Sequence, residues 1–154
     1  MGLFKDLKNM ITGGGATVTL EVIEPALEAP FTVRVQADIG DADCVIKRVY
    51  LQLCGTETVE IPDVDVARRQ GEATIIERET VRTSVTTADF TVDLAPADTL
   101  KANQRYTWES EITLPPECLP TYRGRLATHG WQIKAGLDMR GNDPDSGWQE
   151  IELY

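Results

Sequence analysis

The sequence predicts an all-β protein, an antiparallel sandwich of two sheets with one short helix at its N-terminus. Three observations predict it. Apolar residues recur at every second position in run after run, as strands with one buried face require. The runs are separated at hairpin-like spacing by stretches carrying Pro, Gly, Asn and Asp. Helical periodicity is confined to residues 3–11, where Leu3, Phe4, Leu7, Met10 and Ile11 share one face.

In chain order, Gly13–Gly15 close the helical segment and read as a flexible joint. Val18, Leu20 and Val22 then alternate with polar residues, and Pro25 and Pro30 mark a turn. Phe31, Val33, Val35, Ala37 and Ile39 form the cleanest period-2 run in the chain. After the turn Gly40–Asp43 comes a strand with Val49, Leu51 and Leu53 on one face, in which the adjacent Val45 and Ile46 mark a bulge. Thr56–Gln70 is polar and carries Pro62, Asp63 and Asp65, so it reads as a long excursion between strands. Ala73–Val85 has strand composition but bears Glu77, Arg78, Glu79 and Arg82, the charge that protects an edge strand. Phe90, Val92 and Leu94 alternate again before a turn around Pro96–Asn103.

The richest region is Gln104–Leu153. Tyr106, Trp108, Ile112 and Leu114 alternate with polar residues. A loop with Pro115, Pro116 and Pro120 follows, and alternation resumes at Trp131, Ile133, Ala135 and Leu137. An acidic turn and a short last strand end it. Seven to nine strands are expected in all.

A chain of 154 residues suffices for one domain with its own core. The net charge of −10 opposes binding to nucleic-acid phosphates or to an anionic membrane surface. No run reaches the roughly 20 apolar residues of a membrane span, and Lys5, Asp6, Lys8 and Asn9 interrupt the start as no secretory signal would. Cys44 and Cys54 fall at the ends of ten residues of one strand, about 30 Å apart at the usual rise, too far to pair. With Cys118 in the proline loop, the three thiols suit a reducing, cytoplasmic setting.

Catalytic signals are sparse, and no catalytic or cofactor residues are assigned. The one histidine, His129, reads as a strand-end or surface residue, and any Ser-His-Asp or Cys-His mechanism would depend on it. Ser84, Ser110 and Ser146 lie in no nucleophile elbow. Thr12–Ala16 is glycine-rich but leads into a strand and lacks the Lys of a phosphate loop. The ligand candidate is the turn Asp138–Gly147, DMRGNDPDSG, where Asp138, Asn142, Asp143 and Asp145 offer hard oxygens for calcium. The same residue types build ordinary tight turns. Trp148 is the aromatic on which a carbohydrate reading would rest.

Taken in order, several segments resemble the N-terminal domain of arrestin-like proteins, and especially the bacterial sporulation-control protein family. They are MGLFKDL, ATVTLEVI, IKRVYLQL, ADFTVDLAPADTLKANQRYTWESEITLP, LPTYRG and WQIKAGLDMRGNDPDSGWQEIEL. The resemblance implies an immunoglobulin-like sandwich over residues 16–154, after a helix and glycine joint over 1–15. It also implies a non-catalytic cytoplasmic scaffold, adaptor or regulator that acts on protein partners. Members of that family usually carry a second sandwich, which this sequence does not contain. The expected partners are proteins, with no nucleic acid and no membrane insertion, and self-association through a sheet edge is in keeping with the fold. The alternative is a ligand-binding sandwich with calcium at Asp138–Asp145 or a carbohydrate.

Overall fold

The computed structural model describes residues 12–13, 15–141 and 143–154. The helix expected over residues 3–11 lies outside them. The alternating runs form two antiparallel sheets. In the first, β1 (Thr12–Gly13), β2 (Ala16–Ile23), β3 (Phe31–Ile39) and β7 (Arg105–Ile112) lie side by side in that order. The second runs in the order β10 (Gln149–Ile151), β9 (Ala127–Met139), β4 (Cys44–Gln70) and β5 (Ala73–Ala95). Two short strands complete it: β6 (Asp98–Leu100) pairs with the start of β4, and β8 (Tyr122–Arg123) pairs with β9.

The period-2 faces meet between the sheets. Val18, Val33, Val35 and Ala37 of the first face Leu51, Leu53, Ile133 and Leu137 of the second, all fully buried. Tyr106 and Trp108 extend that inner face along β7, opposite Ala37 and Val35, and stack with ring centroids 6.1 Å apart. On each outer face one arginine of an interior strand holds carboxylates from both neighbours. Arg34 contacts Glu21 and Glu109 at 2.6 and 3.0 Å, and Arg48 contacts Asp93 and Asp138 at 2.7 and 3.1 Å. Half-exposed pairs of this kind add little stability and mainly favour the observed registers.

Three expectations are corrected. Thr56–Gln70 is not an excursion: it continues β4 without a break, and its residues pair with β5 down to Gln70 opposite Ala73. The glycine stretch is not a free joint where it is described, because Thr12 and Gly13 pair with Thr17 and Ala16 of β2. Gly15 carries the positive φ (100°) of that tight return, a backbone state glycine adopts at little cost. The turn Pro96–Asn103 holds a strand, β6. The bulge expected at Val45–Ile46 lies further on: Val45 is exposed and Ile46 buried in regular alternation, and the pairing with β9 shifts between Ile46 and Arg48. Cys44, Cys54 and Cys118 are free thiols, and Cys44 and Cys54 lie on the single strand β4.

Candidate functional site

The β4–β5 hairpin reaches well past the rest of the sandwich. Strand β9 accompanies β4 only as far as Val59, opposite Ala127, and the Glu60 amide donates to the Leu126 carbonyl at 2.8 Å. Beyond that point, among the described residues, β4 and β5 pair only with each other. The resulting two-stranded arm runs on for about 30 Å at the usual rise per residue. It closes through Gly71–Glu72, with Gly71 at φ 62°, as a two-residue loop with glycine first requires.

The two faces of the arm differ. Opposed residues of an antiparallel pair share a face, so Val59 with Thr83, Ile61 with Val81, Val64 with Glu79 and Val66 with Glu77 line up on one side. Ile75, opposite Arg68, extends this row toward the tip. It prolongs the core-facing side of the sheet into a region that no second sheet covers among the described residues, and Ile61, Ile75, Val81 and Val85 are exposed. The other side carries Glu60 opposite Arg82, Asp65 opposite Arg78 and, near the tip, the exposed Ile76 opposite Ala67. The row stays on one face because of an irregularity between Ile61 and Val64, where Pro62 and Asp63 together oppose Thr80. Asp63 takes a positive φ of 55° there. Ion pairs cross the ribbon from Arg68 to Glu79 (2.9 Å) and from Arg78 to Asp65 (3.5 Å).

Where the arm leaves the body, a polar cluster plugs the end of the core. His129 is neither a surface nor a strand-end residue: it lies within β9, 1% exposed. Its Nδ1 is 2.9 Å from the Pro120 carbonyl oxygen and its Nε2 is 2.7 Å from Thr87 Oγ1. A carbonyl only accepts, so in the neutral ring Nδ1 carries the proton and Nε2 accepts from the Thr87 hydroxyl. Thr87 is the extra residue of a second bulge, between Gly55–Ala88 and Thr56–Thr86. Its hydroxyl and the imidazole occupy the room left by Gly55, where a Cβ would lie 2.9 Å from Thr87 Oγ1 and 3.3 Å from His129 Nε2.

Around this pair, Tyr122 stacks on His129 and donates to Glu57, which pushes its phenol above the usual range. Trp131 meets the imidazole edge-on, and its Nε1 donates to the Leu119 carbonyl at 2.9 Å. The proline loop is thereby tied down against the core-facing side of β9. A hydroxyl–imidazole contact is also what nucleophilic catalysis uses. Here the third partner is the Pro120 carbonyl instead of a carboxylate. On the outward face of the same region lies an open depression of about 860 Å³, whose lining includes the hydroxyls of Thr56, Thr58, Ser84 and Thr128.

The acidic turn is arranged differently from a cation site. Asp138 accepts from Arg48 Nε, Asp143 from the Met139 amide (2.9 Å) and Asp145 from the Gly147 amide (2.8 Å). Among the described residues no three His, Cys, Asp or Glu side chains group as a metal site would need. Asn142 lies outside the described residues. Pro144 and Ser146 are buried, and Ser146 Oγ accepts from the Ala135 amide while its own amide donates back to the Ala135 carbonyl. The turn thus closes the β9–β10 connection. Trp148 is 38% exposed, with the Lys134 ammonium 4.9 Å from its ring centre. Burial, reinforced by Asp145, Asp143 and Asp138, raises the nearby Tyr50 phenol.

Sequence reasoning missed the His129 cluster and the arm. Alternation along β9 begins at Ala127 and includes His129, so following it two residues further back from Trp131 would have placed the imidazole on the inner face. No family model matches the sequence, and no curated protein matches it. The crystal structure of Spo0M, sporulation control protein, from Bacillus subtilis is similar, with a TM-score of 0.61 and 17% sequence identity over 91% of this chain. The chain spans about half, 49%, of that structure's length. At such identity the likeness concerns the fold, and it agrees with the resemblance carried by the sequence segments. Among the described residues no helix is long and apolar enough to cross a membrane.

Proposed function

We propose that this protein is a non-catalytic cytoplasmic scaffold or regulator that works through protein–protein contacts made by the β4–β5 arm. The fold likeness to a sporulation control protein supports a regulatory role of that kind. The observation that carries the reading is the row Ile61, Val64, Val66, Ile75 and Val81. It continues the core face of the sheet into a region where, among the described residues, no second sheet covers it. Apolar side chains on a projecting ribbon gain nothing from the fold that bears them, and such exposed rows mark interaction surfaces. The buried polar side chains at the arm's base are matched by hydrogen bonds, which suits a role in shaping the arm.

The test is affinity capture from lysate of the native organism by the intact chain and by a Val64→Asp/Val66→Asp variant, with circular dichroism confirming equal folding. Partners captured by the intact chain and lost from the variant are expected. Identical capture by both proteins would defeat the assignment to the arm.

A further inference from the structure

The free edge of β5 carries a second message, which rests on the arm being an interaction element and specifies one of its partners. Strand β5 pairs only with β4 among the described residues, so its other edge offers an unpaired row of backbone donors and acceptors. Native proteins protect such edges with charge, proline or bulges. Glu77, Arg78 and Glu79 do so near the tip. From Thr80 to Thr86, TVRTSVT, the edge has no proline and a single charge, Arg82.

That segment reads almost the same in both directions about Thr83. Thr80 mirrors Thr86, Val81 mirrors Val85 and Arg82 mirrors Ser84. We propose that two copies of this chain pair edge to edge along Thr80–Thr86, antiparallel, with the two-fold axis at Thr83. In this register Thr80 faces Thr86 of the second copy, and Val81 faces Val85. Thr–Thr and β-branched pairs of this kind favour antiparallel pairing, and no like charges are directly opposed. Even-numbered sums of opposed residues keep each pair on one face, as antiparallel pairing demands.

The fold also sets the length of the ladder. The bulge at Thr87 reverses which β5 residues face inward, since Val85 lies opposite Glu57 while Ala88 lies opposite Gly55. A ladder that continued past Thr87 would oppose inward residues to outward ones, so it stops there, and by symmetry at Glu79 of the other copy. The axis is two-fold and the contact uses the same segment on both chains, so assembly closes at a dimer. A ladder this short buries less than the roughly 1,200 Å² of a standard interface, so the dimer is weak and concentration-dependent. Pairing turns a two-stranded ribbon, marginal by itself, into four strands.

Sedimentation velocity from about 10 μM to about 1 mM, concentrations at which a weak pair associates, tests the proposal. The wild-type chain is expected to shift from monomer to dimer. Thr83→Glu and Thr83→Lys each place two like charges opposite one another on the axis, and each is expected to weaken the dimer at least tenfold. Mixing the two variants in equal amounts should restore it, because Glu then faces Lys.

A wild-type chain that stays monomeric throughout, growth beyond a dimer, or a mixture no more associated than its components would each overturn the proposal. Circular dichroism of the single variants excludes misfolding, since Thr83 is exposed. If the chain stays monomeric but Val64→Asp/Val66→Asp still loses its partners, the self-pairing fails and the broader arm reading stands. The converse result separates them the other way.

Discussion

Strands β4 and β5 run through both the body and the arm, but different forces hold them in each. In the body, Leu51 and Leu53 of β4 and Val92 and Phe90 of β5 face a second sheet, and the β4 leucines are completely buried. A few residues further on, Ile61, Val64 and Val66 occupy the same face with no second sheet above them among the described residues, Ile61 exposed and the two valines half-buried. The body is stabilised mainly by apolar burial. The arm depends on its ladder, its hairpin loop and cross-strand ion pairs, each worth little alone. The same alternation thus serves the fold in one place and is left available for contact in the other.

The sharpest way to break this comparison is to truncate one residue in each region. Leu51→Ala leaves a cavity between the sheets and should cost about 2–5 kcal/mol in urea unfolding. Ile75→Ala on the arm should cost no more than about 0.5 kcal/mol, as at other exposed positions. Equal costs would mean that the arm is covered in solution. The junction comes next. Gly55→Ala forces a methyl against the Thr87 hydroxyl and the His129 ring, so a loss of about 1–3 kcal/mol is expected. Combining it with Thr87→Ala should recover part of that loss, and a strictly additive result would rule out the Thr87 contact as its source.

The smallest effect lies at the opposite end of the body. The Ala102 amide (2.8 Å) and the Lys101 ammonium (3.4 Å) hold the Asp43 carboxyl below the usual carboxylate range. A depressed carboxyl pKa contributes stability that is present above about pH 4 and is lost as pH falls through the folded-state value. Asp43→Asn should therefore melt slightly below the wild type at neutral pH, and the gap should close under more acidic conditions. A gap that persists unchanged at pH 3 would show that Asp43 acts through its shape and not its charge.

Legibility in the sequence follows the same division. Phe31–Ile39 and Trp131–Leu137 announced themselves because burial on one side enforces strict alternation. Thr56–Gln70 did not, because a ribbon in water has no such constraint and tolerates Glu60, Pro62, Asp63 and Asp65. Its apolar residues also change parity, odd at Val59 and Ile61 and even at Val64 and Val66, so no single period connects them. The bulge that reconciles them involves Pro62, which looked like a strand breaker. His129 stayed hidden for another reason. A lone imidazole between Thr128 and Gly130 looks polar and peripheral, and its burial depends on the Pro120 carbonyl across a loop and on Thr87, far away in sequence.

The Pro62–Asp63 bulge separates the direction of the arm from its chemistry. Deleting either residue would leave every remaining cross-strand pair intact, Ile61 still with Val81 and Val64 still with Glu79. Each side chain would keep its face. What would change is the local twist that an extra residue imposes on a ribbon, and with it the direction in which the tip points. A single-codon deletion could therefore re-aim the arm toward a different neighbour without altering its contact residues, and such steps are among the simplest that evolution has available.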